Sequence, residues 1–190
     1  MIVGVLALQG DFVEHIQILK LMKIDFVEVR NKNDLEKCSA LIIPGGESTV
    51  IAKFLSTTGL DKEIKKRVKS GMPIYGTCAG AIILAKKVVG EKKFEPLGLI
   101  DVEIKRNAYG RQIDSFEAEM SIENKKINGV FIRAPIISKI GKKVEVLIKL
   151  DKKPVLVKQG NILIGTFHPE SEGITIIHRL FLDLILTITS

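Results

Sequence analysis

Ile74-Tyr75-Gly76-Thr77-Cys78-Ala79-Gly80-Ala81-Ile82-Ile83-Leu84 carries two patterns in one run. Residues 74–77, entered from Gly71-Met72-Pro73, read as a short buried strand, and residues 79 to about 87 as a helix. Gly76-x-Cys78-x-Gly80 stands at their junction, the layout of a nucleophile elbow. Only glycine-sized neighbours let strand and helix pass so closely while the turn holds Cys78 in a strained backbone conformation. Such a turn points the sulfur over the carboxyl edge of a parallel sheet. It also sets the sulfur at a helix N-terminus, where the dipole and free N–H groups favour a thiolate.

The flanking sequence agrees. Upstream, residues 2–8 are a continuous apolar strand, and residues 13–22 a helix with Val13, Ile16, Leu19 and Met22 on one stripe. Short strands follow at 26–29 and 40–43. Pro44-Gly45-Gly46 then breaks the chain, Ser48 caps a helix from about Thr49, and residues 61–69 form a more charged helix. This alternation predicts a parallel sheet with right-handed crossovers. Downstream the period changes to two: Val102 and Ile104, then Phe116, Ala118, Met120 and Ile122, then strands at 144–148, 154–158 and 162–166. An apolar helix at 174–189 closes the chain. The expectation is a single α/β domain over residues 1–190. It has a mostly parallel central sheet flanked by helices in a flavodoxin-like three-layer arrangement, with added antiparallel strands.

Composition narrows the function. The 190 residues are 46% hydrophobic, in short runs that fall below the ~20 apolar residues of a membrane helix. The N-terminal apolar run lacks a basic lead and is cut short by Gln9-Gly10-Asp11, so it reads as a strand and not a signal peptide. A cytoplasmic protein is expected, with no membrane partner. The formal charge of +7 comes largely from scattered lysine pairs such as Lys65-Lys66 and Lys92-Lys93, without interleaved stacking aromatics, which argues against nucleic acid. Two cysteines, Cys38 and Cys78, and three histidines, His15, His168 and His178, show no metal-ligand spacing, so neither a metal nor a disulfide is expected.

A nucleophilic cysteine needs a base. Phe167-His168-Pro169-Glu170 follows the strand at 162–166, and strand ends on the carboxyl edge converge on one crevice. His168 is the candidate base. Glu170, two residues on and stiffened by Pro169, is the group that fixes its tautomer. Pro44-Gly45-Gly46-Glu47-Ser48 again joins a strand to a helix, and its glycines allow backbone N–H groups to face a ligand. Gly46 N–H and Ala79 N–H are the candidate oxyanion donors, each typically worth about 3–4 kcal/mol of barrier.

In this order, with the acid just after the histidine, the three segments resemble the class I, or triad-type, glutamine amidotransferases. In α/β-hydrolases the acid precedes the histidine. The closer similarity is to one branch, the glutaminase subunits of pyridoxal 5′-phosphate synthase. It rests on Gly-Thr-Cys-Ala-Gly-Ala-Ile-Ile-Leu at 76–84, Gly4-Val5-Leu6-Ala7-Leu8-Gln9-Gly10, and Arg106-Asn107-Ala108-Tyr109-Gly110-Arg111-Gln112. Asp114-Ser115-Phe116-Glu117 and Phe131-Ile132-Arg133-Ala134-Pro135 extend it.

The resemblance implies Cys78 as nucleophile, His168 as base and Glu170 as orienting acid. It also implies contacts to L-glutamine from Gly46, Glu47, Ser48, Arg106, Ile132 and Arg133. The implied partner is a barrel-shaped synthase subunit that consumes the ammonia and holds the phosphorylated substrates, so no cofactor is expected on this chain. Lys105 stands where the branch has an acidic residue, and Ser171-Glu172-Gly173 is a short link to the last helix. The competing readings are a glutaminase for another synthase (histidine or cobyrinic acid), a non-enzymatic regulatory scaffold, and a cysteine peptidase or thiol hydrolase on a similar sheet.

Overall fold

The computed structural model describes residues 1–106 and 115–189, with side chains to residue 186. The motif residues at 107–114 therefore lie outside the described residues.

The chain opens with strand β1 (Ile2–Leu6), helix α1 (Phe12–Leu21), strand β2 (Asp25–Val29), a short helix α2 (Lys32–Glu36) and strand β3 (Ala40–Ile43). Helices α3 (Ser48–Thr58) and α4 (Leu60–Lys69) follow, joined by Gly59 in the left-handed conformation (φ 69°). Strand β4 (Ile74–Thr77) leads through Cys78 into α5 (Ala79–Leu84), then β5 (Ala85–Val88) and β6 (Ile100–Lys105). The remainder is β7 (Ser115–Ile122), β8 (Lys125–Ile132), β9 (Ile136–Ile140), β10 (Glu145–Leu150), β11 (Lys153–Gln159), β12 (Ile162–Gly165), a 3-10 turn (Pro169–Glu172) and α6 (Thr175–Thr189).

The main sheet has the order β10-β11-β12-β4-β3-β1-β2. From β12 to β2 all neighbours are parallel, and β10 and β11 add antiparallel pairs at one edge. This is the mostly parallel α/β sheet with added antiparallel strands that the alternation of elements predicts. The parallel strands are buried on both faces because alternate side chains serve two cores. Val3, Val5, Ile42, Tyr75 and Leu163 pack with α1, α6 and the β7–β8 hairpin. Leu6, Leu41, Ile43, Ile74 and Ile164 pack with α3, α4, α5 and the smaller sheet β5-β6-β9.

Local expectations fail in three places. The helix expected to reach about residue 87 ends at Leu84. Ala85 turns extended (ψ 154°), and residues 85–88 pair with β6. Ser48 is not the cap of α3: it is the buried first residue of that helix. Glu47 is the cap, its carboxylate accepting from Thr49 N–H at 3.2 Å. Strand β1 ends at Leu6 rather than Leu8, although Ala7 N–H still donates to Val29 at 3.0 Å. Strands β8 and β9, which the periodicity did not single out, complete the hairpin and the small sheet. No helix among the described residues is long and apolar enough to cross a membrane.

Candidate active site

The strand order reverses between β1 and β3, and loops at the carboxyl ends of parallel strands meet near such a switch point. Here the segments after β1, β3, β4 and β12 converge. Cys78 sits between β4 and α5 with φ 46° and ψ −99°, a conformation L-residues rarely adopt. Its N–H is anchored on Gly165 C=O at 2.8 Å. The two flanking glycines are sterically required. A Cβ on Gly80 would lie 2.1 Å from Ile43 O, and one on Gly76 would lie 2.7 Å from the Gly80 carbonyl carbon.

His168 follows β12 and is held from outside the main sheet. Its N–H donates to Val130 C=O of β8 at 2.8 Å. Pro169 then starts the 3-10 turn that brings Glu170 back, and His168 Nδ1 meets Glu170 Oε1 at 2.8 Å. With Nδ1 engaged, Nε2 is the nitrogen left for Cys78, which lines the same cleft. Burial pulls the His168 imidazolium down, but contact with Cys78 and with the Glu170 carboxylate outweighs it and raises the pKa to about 10. Glu170 is nearly inaccessible, and burial pushes its carboxyl up against the opposing pull of His168.

A second carboxylate is present. Asp11 Oδ2 lies 3.5 Å from His168 Nδ1, and Asp11 N–H donates to Gly45 C=O at 3.2 Å. Asp11, His168 and Glu170 are the one group among the described residues whose donor atoms lie close enough (within 4.8 Å) to suit a metal ion. The direct bond between His168 and Glu170 already uses two of those donors, so the group reads as an imidazole between acids.

The Gly45-Gly46 turn is clamped by the loop after β1. Glu47 N–H donates to Gln9 Oε1 at 2.8 Å, and a Cβ on Gly10 would fall 1.8 Å from Gly45 O. Gly46 adopts φ 139°, in the glycine region. Ala79 is the first residue of α5, where a helical N–H has no intrahelical acceptor.

The cleft over Cys78 measures about 380 Å³ and is lined by Gly46, Glu47, Ser48, Arg106, Ile132 and Arg133 as well as Asp11, Cys78, Ile82 and His168. Eight of the ten residues singled out in the sequence thus line one cleft, while Glu170 stands behind His168 and Ala79 adjoins Cys78. Cys78 S–H donates to Ile132 C=O at 3.8 Å. Arg106 is already engaged: its guanidinium bonds Glu47 at 3.0 Å, Thr49 at 3.3 Å, and Glu91 in a shorter contact. Arg133 ends β8 with φ 44°.

Sequence reasoning did not find Asp11, Glu91, His15 or His178 near this site. Asp11 and His15 come from the start of α1, Glu91 from the segment after β5 and His178 from α6. The available signal was that two of the three histidines, His15 and His178, and the loop aspartate Asp11 had no assigned role.

Cys38 has a different setting. It is buried after α2, its S–H donates to Asp34 C=O at 3.2 Å, and burial pushes its thiol up to about 11. A diazo-ketone analogue of glutamine is expected to alkylate Cys78 and leave Cys38 unmodified in the folded chain. Peptide mass mapping with equal labelling of both thiols would refute the assignment.

Comparison with known proteins bears on this geometry. A protein of Thermus thermophilus named pyridoxal 5′-phosphate synthase subunit PdxT is 49% identical over 185 residues, covering 96% of this chain and 97% of that protein. A crystal structure of a glutamine amidotransferase superposes with a TM-score of 0.93 at 49% identity, covering 96% of this chain and 98% of the other. The structure of PurLQS from Thermotoga maritima, at 17% identity and a TM-score of 0.69 over 96% of this chain and 97% of its own, shares the fold. The model of the SNO glutamine amidotransferase family matches residues 5–186, which include the elbow, the Gly-Gly turn and the His168–Glu170 pair, and the chain belongs to that family.

Proposed function

We propose that residues 1–190 form one glutaminase domain, the ammonia-producing subunit of a cytoplasmic pyridoxal 5′-phosphate synthase. The observation that carries this reading is the convergence of Cys78, the His168–Glu170 pair and the Gly45-Gly46 turn on one cleft. The full-length relation to PdxT supports the choice of partner, a synthase subunit that consumes the ammonia.

The geometry supports a thioester route. The thiol proton passes to His168 Nε2, and Cys78 Sγ attacks the side-chain amide carbon of L-glutamine. The developing oxyanion is met by Gly46 N–H and Ala79 N–H. The imidazolium, stabilised by Glu170, gives its proton to the departing ammonia and leaves a γ-glutamyl thioester. Water then attacks the thioester, His168 again takes the proton, and glutamate leaves as the thiol is restored.

At the other end of the substrate, a zwitterionic amino acid needs cations for its carboxylate. Arg106, fixed in direction by Glu91 and Glu47, and Arg133 fill that need, with Glu47, Ser48 and Ile132 forming the remaining walls.

The test is ammonia release from glutamine in the presence of a pyridoxal 5′-phosphate synthase partner subunit, measured beside a generic peptide and a thiol-reactive ester. Selective glutamine turnover is expected. Turnover of the ester or peptide without glutamine hydrolysis would replace this reading with a thiol hydrolase.

A further inference from the structure

The three histidines of the chain stand in one line of contacts, although the reaction above uses only His168. Helix α1 carries His15 and helix α6 carries His178 to the underside of the elbow, where both are fully buried. His15 Nε2 lies 3.1 Å from Thr77 Oγ1 and 3.5 Å from Glu170 Oε1. His15 Nδ1 lies 2.9 Å from His178 Nε2. Glu170 Oε1 is thus flanked by two imidazoles, His168 on the cleft side and His15 on the core side.

Burial keeps both interior rings neutral. It pulls His15 well below the usual histidine range, with His178 and His168 adding to the effect, and takes His178 down to about 4. A neutral imidazole has one N–H, so the line has a direction. With its proton on Nε2, His15 donates to Thr77 Oγ1 at 3.1 Å with Glu170 Oε1 beside that N–H at 3.5 Å, and it accepts from His178 at Nδ1. With the proton on Nδ1, a lone pair would oppose the carboxylate. A carboxylate this deeply buried needs every donor it can reach.

We infer that His15, braced by His178, is a positioning residue for Glu170, its Nε2–H keeping the carboxylate ionised and aimed at His168 Nδ1. The inference rests on reading Cys78, His168 and Glu170 as the triad. Glu170 is faced by His168 from its own segment, His15 from α1, Asp11 from the turn after β1 and Tyr75 from β4. His178 stands behind His15, and Cys78 lies against His168. Of these, His15 is the interior imidazole, its Nε2 3.5 Å from Glu170 Oε1.

Two substitutions separate its nitrogens. The amide of His15→Gln can reach the place of Nε2, and that of His15→Asn the place of Nδ1. In the complex with the synthase subunit, His15→Asn is expected to lower kcat by about 10–100-fold, the usual scale for a group that orients another, with KM within about twofold. His15→Gln should lose only about threefold. In the Glu170→Gln background, His15→Asn should add less than about twofold, because its effect runs through that carboxylate. For the isolated chain, the pH midpoint of Cys78 alkylation by iodoacetamide should rise by about one unit in His15→Asn, as the imidazolium loses its support. Equal losses for Asn and Gln, additive losses with Glu170→Gln, or an unmoved alkylation midpoint would each overturn the inference. If neither variant folds, the His15 imidazole ¹⁵N shifts in the unaltered chain decide, and a proton on Nδ1 overturns it. Absence of glutamine turnover with the partner present would defeat the triad's assignment to glutamine, while the alkylation profile would still report on His15.

Discussion

Cys78→Ala and His168→Asn are each expected to abolish glutamine hydrolysis, while Glu170→Gln leaves a measurable remnant. The first two remove halves of one device. Without the sulfur no thioester forms, and without the imidazole neither the thiol nor the leaving ammonia has a proton carrier. Groups that act as such a unit cost about a millionfold singly, and removing both costs little more. Glu170 is buried and does not line the cleft. Its oxygen holds His168 Nδ1 at 2.8 Å, so Glu170→Gln forfeits orientation and support for the imidazolium but leaves nucleophile and base in place. Its loss should be roughly fifty- to a hundredfold smaller than that of the other two. Steady-state glutamate release, with folding checked by circular dichroism, makes the comparison. A His168→Asn chain with full turnover would end the triad hypothesis.

The isolated chain is expected to hydrolyse glutamine slowly, and saturating synthase subunit to raise kcat about a hundred- to a thousandfold, the worth of one oxyanion donor. Ammonia made without a waiting acceptor is wasted, and the contacts around the Gly45-Gly46 turn offer a means of control. Gly45 C=O is held by Asp11 N–H, Glu47 N–H by the Gln9 side chain, and Gly10 presses against the Gly45 oxygen. The peptide between the two glycines therefore cannot rotate unless the loop at 9–11 shifts with it. A partner resting on that loop would bias which way the Gly46 N–H points, selecting the state with the donor aimed at the amide oxygen. Glutamine hydrolysis is compared with and without partner lacking its own substrates, with binding shown separately. Unchanged turnover on a formed complex would mean that the hole is preformed.

The α/β alternation was readable along the chain because it rests on local periodicity. Residues 40–43 and 74–77 are apolar throughout, as strands buried on both faces must be, and glycine and proline mark their ends. Cys78 could be identified because the elbow is a local steric problem solved by two glycines within five residues. His168 and Glu170 were accessible for a similar reason, being two residues apart in one turn.

Other features depend on contacts that cross the chain. Residues 85–88 follow a helical run with no break signal, and they become a strand only because β6 offers a ladder. Glu47 displaces Ser48 as helix cap, and Arg106 binds that same carboxylate from 59 residues away. The pairing of Arg106 with Glu91 likewise changes it from a free cation into a pre-aimed one. His15 and His178 are 163 residues apart, on helices whose own patterns mark them only as buried positions. Their meeting beneath Glu170 is produced by the packing of the first and last helices on one face of the sheet. Periodicity records how a segment sits against a core, but it does not record which distant segment supplies the other side.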